Sequence, residues 1–197
     1  NDVASVLFVD ADANGANDGT GWADAFNHLQ DAILLATDAP RAVAEIRVAD
    51  GIYKPDHGGG VTPGDREATF QLIGGVAICG GYAGASEPNV RDIDVYKTVL
   101  SGDLNGDDIE VAELEDLLDE STRGENSYHV VTGSRTYPDA VLDGVTITAG
   151  NANEDFPSSR AGGGGMFNDS GSPTLVNCTF RENAARAFGG RRDCLGD

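Results

Sequence analysis

Very short apolar runs, each followed by Gly, Asn or Asp, are the feature of this sequence that most limits its fold. Typical examples are EIRV at 45–48 and VAIC at 76–79, which precede Gly51 and Gly80. Strands of this length are too short for the hairpins of a sandwich. They fit a solenoid, in which each coil buries its inward side chains only by stacking on its neighbours. The 27 glycines, about twice the average share, suit the many tight corners of such a fold.

An internal repeat supports the solenoid prediction. LDGVTI at 142–147 aligns with LVNCTF at 175–180, an offset of 33 residues, if the polar stretch 153–160 is an insertion. Apolar residues match at relative positions 0, 3 and 5. This spacing fits a first strand at position 0, a corner, and a second strand whose inward residues are at positions 3 and 5. Asn151 and Asn183 follow the two copies. We expect both to be structural, because an asparagine just past a strand can pair with backbone one coil away.

One segment has helical rather than strand periodicity. Between residues 24 and 37 the apolar residues recur at intervals of three and four, which makes one apolar stripe. They are Ala25, Phe26, Leu29, Ala32, Ile33 and Ala36. Asp24 is the predicted N-cap of this helix.

Composition excludes several classes of protein. The formal charge of −20, from 33 acidic and 13 basic residues, repels phosphate backbones and so argues against a nucleic-acid partner. The three cysteines, Cys79, Cys178 and Cys194, are odd in number and widely spaced, and the sequence contains no CxxC or Cys/His cluster, which argues against a structural zinc site and against a disulfide scaffold. Cys79 and Cys178 are expected to pack as small hydrophobic residues. No apolar run reaches membrane-spanning length, so no membrane insertion is predicted.

Two stretches resemble known families. LFVDADANGANDGTGWADAFNHLQDAI at 7–33, followed by EIRVADGIYKP at 45–55, resembles the N-terminal opening of bacterial β-helix proteins of the pectin-lyase-like superfold. CTFRENAARAFGG at 178–190 resembles the repeat of chlamydial-type polymorphic outer membrane proteins; the matching residues are Phe180, Asn183, Gly189 and Gly190. The resemblance implies an all-β fold: one right-handed parallel β-helix solenoid over 1–197, with a capping α-helix at 24–37.

The repeat pattern stops after Gly190, where the chain continues as RRDCLGD at 191–197. An uncapped solenoid end exposes its apolar stack and unpaired strand edges. The sequence therefore predicts that the chain is truncated at its C-terminus, or that self-association covers this coil.

An acidic insertion at 101–127 contains a candidate calcium loop. Asp103, Asn105 and Asp107 follow the spacing of the first half of an EF-hand or dockerin loop, in which oxygen ligands alternate with other residues, and Asp108, a further candidate ligand, stands where that pattern has glycine. Position 12 of that pattern is not a carboxylate. Calcium binding is one prediction for this insertion, and a solvated acidic loop is the other.

A second candidate calcium cluster lies near the N-terminus. Asp10, Asp12 and Asn14 repeat the alternation of oxygen-bearing side chains, and Asn17 and Asp18 belong to the same cluster. The same two alternatives apply here.

The strand regions contain no N-T-D, D-D or G-H-G hydrolase signature, and His57 and His129 have no partner close in sequence. We therefore expect a secreted or cell-surface module, non-catalytic in this part of the protein, that acts in adhesion, as a scaffold, or in polysaccharide binding. The alternative is a calcium-dependent polysaccharide lyase or glycoside hydrolase of the same superfold, with carboxylates and a base clustered on one face.

Overall fold

The computed structural model of the chain describes residues 5–39, 41–155 and 157–186, without the side chains at 114 and 115. Gly189, Gly190 and Cys194 lie outside the described residues, and so does the expected open C-terminal coil.

Short strands dominate the described chain, as the short apolar runs predict. In chain order they are β1 (Ser5–Val9), β2 (Val43–Ala49), β3 (Gly51–Tyr53), β4 (Phe70–Gln71), β5 (Ala77–Tyr82), β6 (Thr98–Ser101), β7 (Val131–Thr132), β8 (Val141–Asp143), β9 (Val145–Thr148), β10 (Asn151–Ala152), β11 (Met166–Phe167), β12 (Thr174–Val176), β13 (Thr179–Arg181) and β14 (Ala184–Ala185). Within the described ranges there is one α-helix, α1 (Leu29–Asp38). Short 3₁₀ helices lie at Leu114–Leu118, Ser121–Arg123 and Ser159–Ala161.

All pairs between these strands are parallel, and they form four sheets. The first sheet has the order β1-β2-β5-β8-β12, the second β3-β6-β9-β13, the third β4-β7-β11 and the fourth β10-β14. After β1, successive strands of the chain belong in turn to the first, second and third sheets, and this order recurs. Each new strand pairs with the previous strand of the same sheet. Parallel strands of this kind need crossover connections, which here run from one sheet to the next.

The core is built from side chains that occupy equivalent positions on paired strands. In the first sheet Leu7, Ile46, Ile78 and Leu142 follow one another in register, and each is almost fully buried. The predicted offset of 33 residues is confirmed, since Leu142 pairs with Leu175. Because successive side chains of a strand point to opposite faces, only alternate residues enter this core.

Asn151 and Asn183 are 32 residues apart, one fewer than the offset of 33 between the two copies. Asn151 pairs with Ala184 rather than with Asn183. Asn183 instead bonds to backbone of the preceding repeat: its Oδ1 accepts from the Gly150 N–H at 2.9 Å, and its Nδ2 donates to the Ile147 carbonyl at 2.9 Å. The structural role expected of Asn183 is therefore confirmed.

The helix is shorter than the predicted span of 24–37. It begins at Leu29, with His28 as an N-cap that makes no side-chain cap bond. Phe26 forms a parallel bridge with Val9, and its N–H donates to the Phe8 carbonyl at 2.9 Å. The apolar periodicity of residues 25 and 26 therefore reflects packing along the edge of β1, which competes with helix formation. The predicted N-cap, Asp24, accepts a hydrogen bond from the Ala16 N–H instead.

The two cysteines in the described part pack as expected of small hydrophobic residues. Both are free and partly buried, with Cys178 against the main core and Cys79 beside the Trp22–Tyr82 cluster. Burial raises the pKa of the Cys79 thiol to about 11. None of the helices in the described ranges combines the length and the apolarity that crossing a bilayer demands.

Candidate metal-binding sites

A buried ion pair attaches the acidic insertion to the strands. Arg123 is 2% exposed, and its Nη1 lies 2.8 Å from Asp108 Oδ2. The other terminal nitrogen of Arg123 donates to the Glu182 carbonyl at 2.8 Å, just beyond β13. Asn126, fully buried, also donates to Asp108 Oδ2 at 2.8 Å. These bonds fix both ends of the insertion against the same part of the molecule.

Asp103 folds the start of the insertion into a tight turn. Its Oδ1 accepts from the Gly106 N–H at 2.6 Å and the Asp107 N–H at 3.2 Å, and its Oδ2 accepts from the Asp108 N–H at 3.3 Å. An aspartate that binds successive backbone N–H groups in this way stabilises a local turn without help from distant residues. Lys54 adds a tertiary contact, since its Nζ donates to the Leu104 carbonyl at 3.1 Å.

Three carboxylates meet above this turn. One oxygen from each of Asp103, Asp107 and Glu125 lies within 4.8 Å of the others. Glu125 Oε1 accepts from the Asn105 N–H at 3.0 Å, whereas its Oε2 is buried with no hydrogen-bond partner in the described structure. Calcium binds six to eight oxygens at about 2.3–2.6 Å, so carboxylate oxygens this close together can share one such ion.

Burial and the neighbouring carboxylates raise the pKa of Glu125. Desolvation raises the pKa of Glu125 to about 7, and the neighbouring charges of Asp103, Asp108 and Asp107 act in the same direction. Desolvation also raises the pKa of Asp108, although Asn126 and Arg123 oppose that shift. A divalent cation at the cluster would reverse the balance at Glu125, because it favours the charged carboxylate.

The structure brings together some of the predicted ligands and separates others. Asp103 and Asp107 share the cluster, while Asn105 contributes its backbone N–H to Glu125 and Asp108 turns toward Arg123. Glu125 lies outside the loop pattern and was missed by the sequence prediction. Its position at the C-terminal end of the insertion, where the chain returns to its starting point, was the available signal.

The N-terminal pair of predicted ligands has a different environment. Asp10 is buried, and its two oxygens accept from the Asp12 N–H at 3.0 Å and the Ala85 N–H at 3.1 Å. Asp12 is exposed, and the described structure does not place it in a group of three close metal-binding side chains. Asp10 therefore connects β1 with the loop after β5, and calcium binding by Asp10 and Asp12 stays a prediction.

Comparison of the chain with protein families, with curated proteins and with solved structures finds no match. The candidate sites are therefore interpreted from their own geometry.

Proposed function

We propose that the chain is a right-handed parallel β-helix with α1 as its N-terminal cap, and that it acts as a secreted or cell-surface scaffold or adhesion module. The repeating order of the sheets and the parallel register favour this fold. We further propose that calcium binds Asp103, Asp107 and Glu125 and stabilises the acidic insertion.

The observation that carries the calcium proposal is the meeting of these three carboxylates above a turn that is already formed. Three acidic side chains within such a short distance repel one another, and Glu125 also loses hydration there. A cation that binds the folded cluster removes both costs and stabilises the fold by mass action. Asp108 and Arg123 join the insertion to the strands. We therefore expect calcium to raise the free energy of unfolding of the strands together with the insertion.

A scaffold or adhesion role fits the outer surface of the first sheet better than sugar stacking does. Phe8 and Trp22 pack edge to face with ring centroids 4.9 Å apart, and Trp22 packs on Tyr82 at 5.5 Å. Arg47 and Arg91 each lie 5.6 Å from the centre of the Tyr82 ring. Trp22 and Tyr82 are consequently buried, and neither offers an open ring face to a sugar. Polysaccharide binding and self-association through the C-terminal coil stay predictions.

Calcium titration with thermal unfolding tests the proposal. We expect calcium to raise the Tm of the metal-free chain, with a gain of about 2.7 kcal/mol at one hundred times the dissociation constant. Glu125→Gln and Asp103→Asn should each remove most of this shift. Asp94→Asn is the matched control, because the Asp94 side chain is 95% exposed and is not one of the three clustered carboxylates. An equal calcium shift in Glu125→Gln, Asp103→Asn and the unsubstituted chain would contradict the proposed site.

The enzymatic alternative is tested separately. A calcium-dependent lyase produces unsaturated uronates from acidic polysaccharides, and these products absorb in the ultraviolet. We expect no such products from the chain with calcium present. Their appearance would replace the scaffold proposal with the lyase alternative.

A further inference from the structure

We propose a second metal site, of different donor chemistry, where α1 begins: a zinc site formed by His28, His57 and Asp56. The two histidines are 29 positions apart in the sequence but adjacent in the fold. The site is independent of the calcium proposal and uses none of its residues.

Asp56 provides the buried part of this site. Asp56 is 2% exposed, and its Oδ2 accepts a hydrogen bond from the Gly64 N–H at 2.8 Å. Its other oxygen, Oδ1, is buried and has no hydrogen-bond partner in the described structure. That oxygen lies 3.8 Å from His57 Nε2. A buried carboxylate oxygen without a partner is costly, and a cation between it and the imidazole would satisfy both groups.

The imidazoles lie slightly farther apart than two rings that share a zinc ion. The ring centroids of His28 and His57 are 5.7 Å apart, and the planes meet at 73°. With Zn–N bonds of about 2.0 Å and a tetrahedral angle, two zinc-bound imidazoles have centroids about 5 Å apart, and donor atoms are about 3.4 Å apart. The observed carboxylate–imidazole distance of 3.8 Å is close to the second value.

Closure of the site requires the exposed imidazoles to turn toward Asp56. The three donor atoms do not form a group as tight as the acidic cluster, in which the oxygens are within 4.8 Å. His28 and His57 are both exposed, so their rings can turn toward Asp56 without disturbing the core. The buried carboxylate stays in place and the two imidazoles close over it.

The backbone that carries these residues is held firmly against α1. Gln30 Nε2 donates to the Pro55 carbonyl at 2.7 Å, and Asp31 Oδ1 accepts from the Gly59 N–H at 2.7 Å. Gly58 has a φ of +111°, and a Cβ at this position would lie 2.9 Å from His28 Cβ. The close approach that brings His57 beside His28 therefore depends on glycine at this position.

A cavity of about 190 Å³ lies beside the two histidines. Its lining includes Asn27, Tyr53 and Lys54 as well as His28 and His57, while Asp56 lies outside the lining. This volume holds several water molecules, at about 30 Å³ each, so a water can complete a four-coordinate ion.

The donor set selects the metal. Two imidazole nitrogens and one carboxylate oxygen suit zinc and other late first-row ions, whereas calcium prefers oxygen ligands alone. Calcium should therefore occupy the acidic cluster without competing at His28 and His57.

Zinc calorimetry on the full chain, with calcium saturating, tests the proposal. We expect one zinc ion per chain with a micromolar dissociation constant, weakened roughly tenfold or more by His28→Gln or His57→Gln. Asp103→Asn is the matched control at the acidic cluster and should leave zinc affinity unchanged. Both histidine substitutions are at exposed positions, and unchanged far-ultraviolet circular dichroism checks that the variants fold.

Histidine NMR provides a second readout with an internal control. Zinc should shift the ring signals of His28 and His57 and leave those of His129, which stacks on Phe167 with centroids 4.7 Å apart, unchanged. The proposal is overturned by the absence of zinc binding, by full affinity in the double variant His28→Gln/His57→Gln, or by loss of affinity in Asp103→Asn.

Discussion

Arg123 and Asp108 show how two residues join an acidic loop to a parallel-stranded body. The pair is 2.8 Å apart, with side-chain exposures of 3% and 14%. Removing one partner of such a pair leaves an uncompensated buried charge, which costs far more than the loss of an exposed pair. Lys97 and Asp94, 3.9 Å apart with exposures of 58% and 95%, form the exposed counterpart.

Replacing Arg123 with Met should lower the free energy of unfolding by about 3–5 kcal/mol, because Asp108 keeps a buried charge without its partner. Denaturant unfolding measures this loss. Lys97→Met is the matched control and should change stability by less than about 1 kcal/mol. Adding Asp108→Asn to the Arg123 variant should recover part of the loss, and a failure to recover any would contradict the charge argument.

The acidic cluster predicts a distinctive pH dependence. The pKa of Glu125 rises from 4.5 to about 7 on folding, so the folded chain binds more protons than the unfolded chain between these values. The contribution of Glu125 to stability is therefore present below pH 4.5 and is lost as the pH rises through 7. Without calcium, Tm should fall less steeply over this window in Glu125→Gln than in the unsubstituted chain. Identical slopes would show that Glu125 does not titrate there.

At the scale of elements, two leucines that are paired in the first sheet differ in how far they are buried. Leu142 on β8 is completely buried, whereas its partner Leu175 on β12 is 41% exposed. The difference arises because β8 has a paired strand on each side, while β12 is the last strand of the described sheet. Burial in such a stack is supplied by the neighbouring strand and not by the strand itself.

This pair of leucines gives a test with its control built in. Leu142→Ala should reduce the free energy of unfolding by about 2–5 kcal/mol, because a cavity replaces a buried side chain. Leu175→Ala should cost less than about 1 kcal/mol. Chemical denaturation of both variants measures the contrast, and equal losses would mean that Leu175 is as buried as Leu142 in solution.

At the scale of the whole molecule, the charge of −20 acts on every part of the fold at once. Self-repulsion of this size destabilises the compact state, in which the charges are closer together than in the unfolded chain. Salt weakens this repulsion between exposed groups, while a calcium ion bound to a specific cluster acts locally.

Raising sodium chloride from about 0.01 M to about 0.15 M shortens the Debye length from about 30 Å to about 8 Å. We therefore expect Tm to increase over this range in the absence of calcium. The same increase should occur in Glu125→Gln, since general screening does not depend on the cluster. A Tm that falls with salt would show that favourable ion pairs outweigh the net repulsion.

Much of the strand pattern could be predicted because it depends on local properties. The short apolar runs at 45–48 and 76–79 lie in β2 and β5. Leu142 and Leu175, which are 33 residues apart, pair with each other in the first sheet. The predicted start of the helix was wrong because the Phe26 N–H donates to the Phe8 carbonyl of β1. The spacing of apolar residues along the chain does not reveal this competing hydrogen bond. Asn151 and Asn183 are 32 rather than 33 residues apart in the sequence, and accordingly Asn151 pairs with Ala184 in the sheet.

By itself, the sequence determined where strands and corners fall and how often they repeat, since alternation, glycine placement and side-chain volume act within a few residues. Only the tertiary structure decided which distant polar groups meet: Glu125 with Asp103 and Asp107, and His28 with His57. The physical reason is that parallel stacking sets these distances through the lengths and directions of the intervening connections, to which residues across the whole chain contribute.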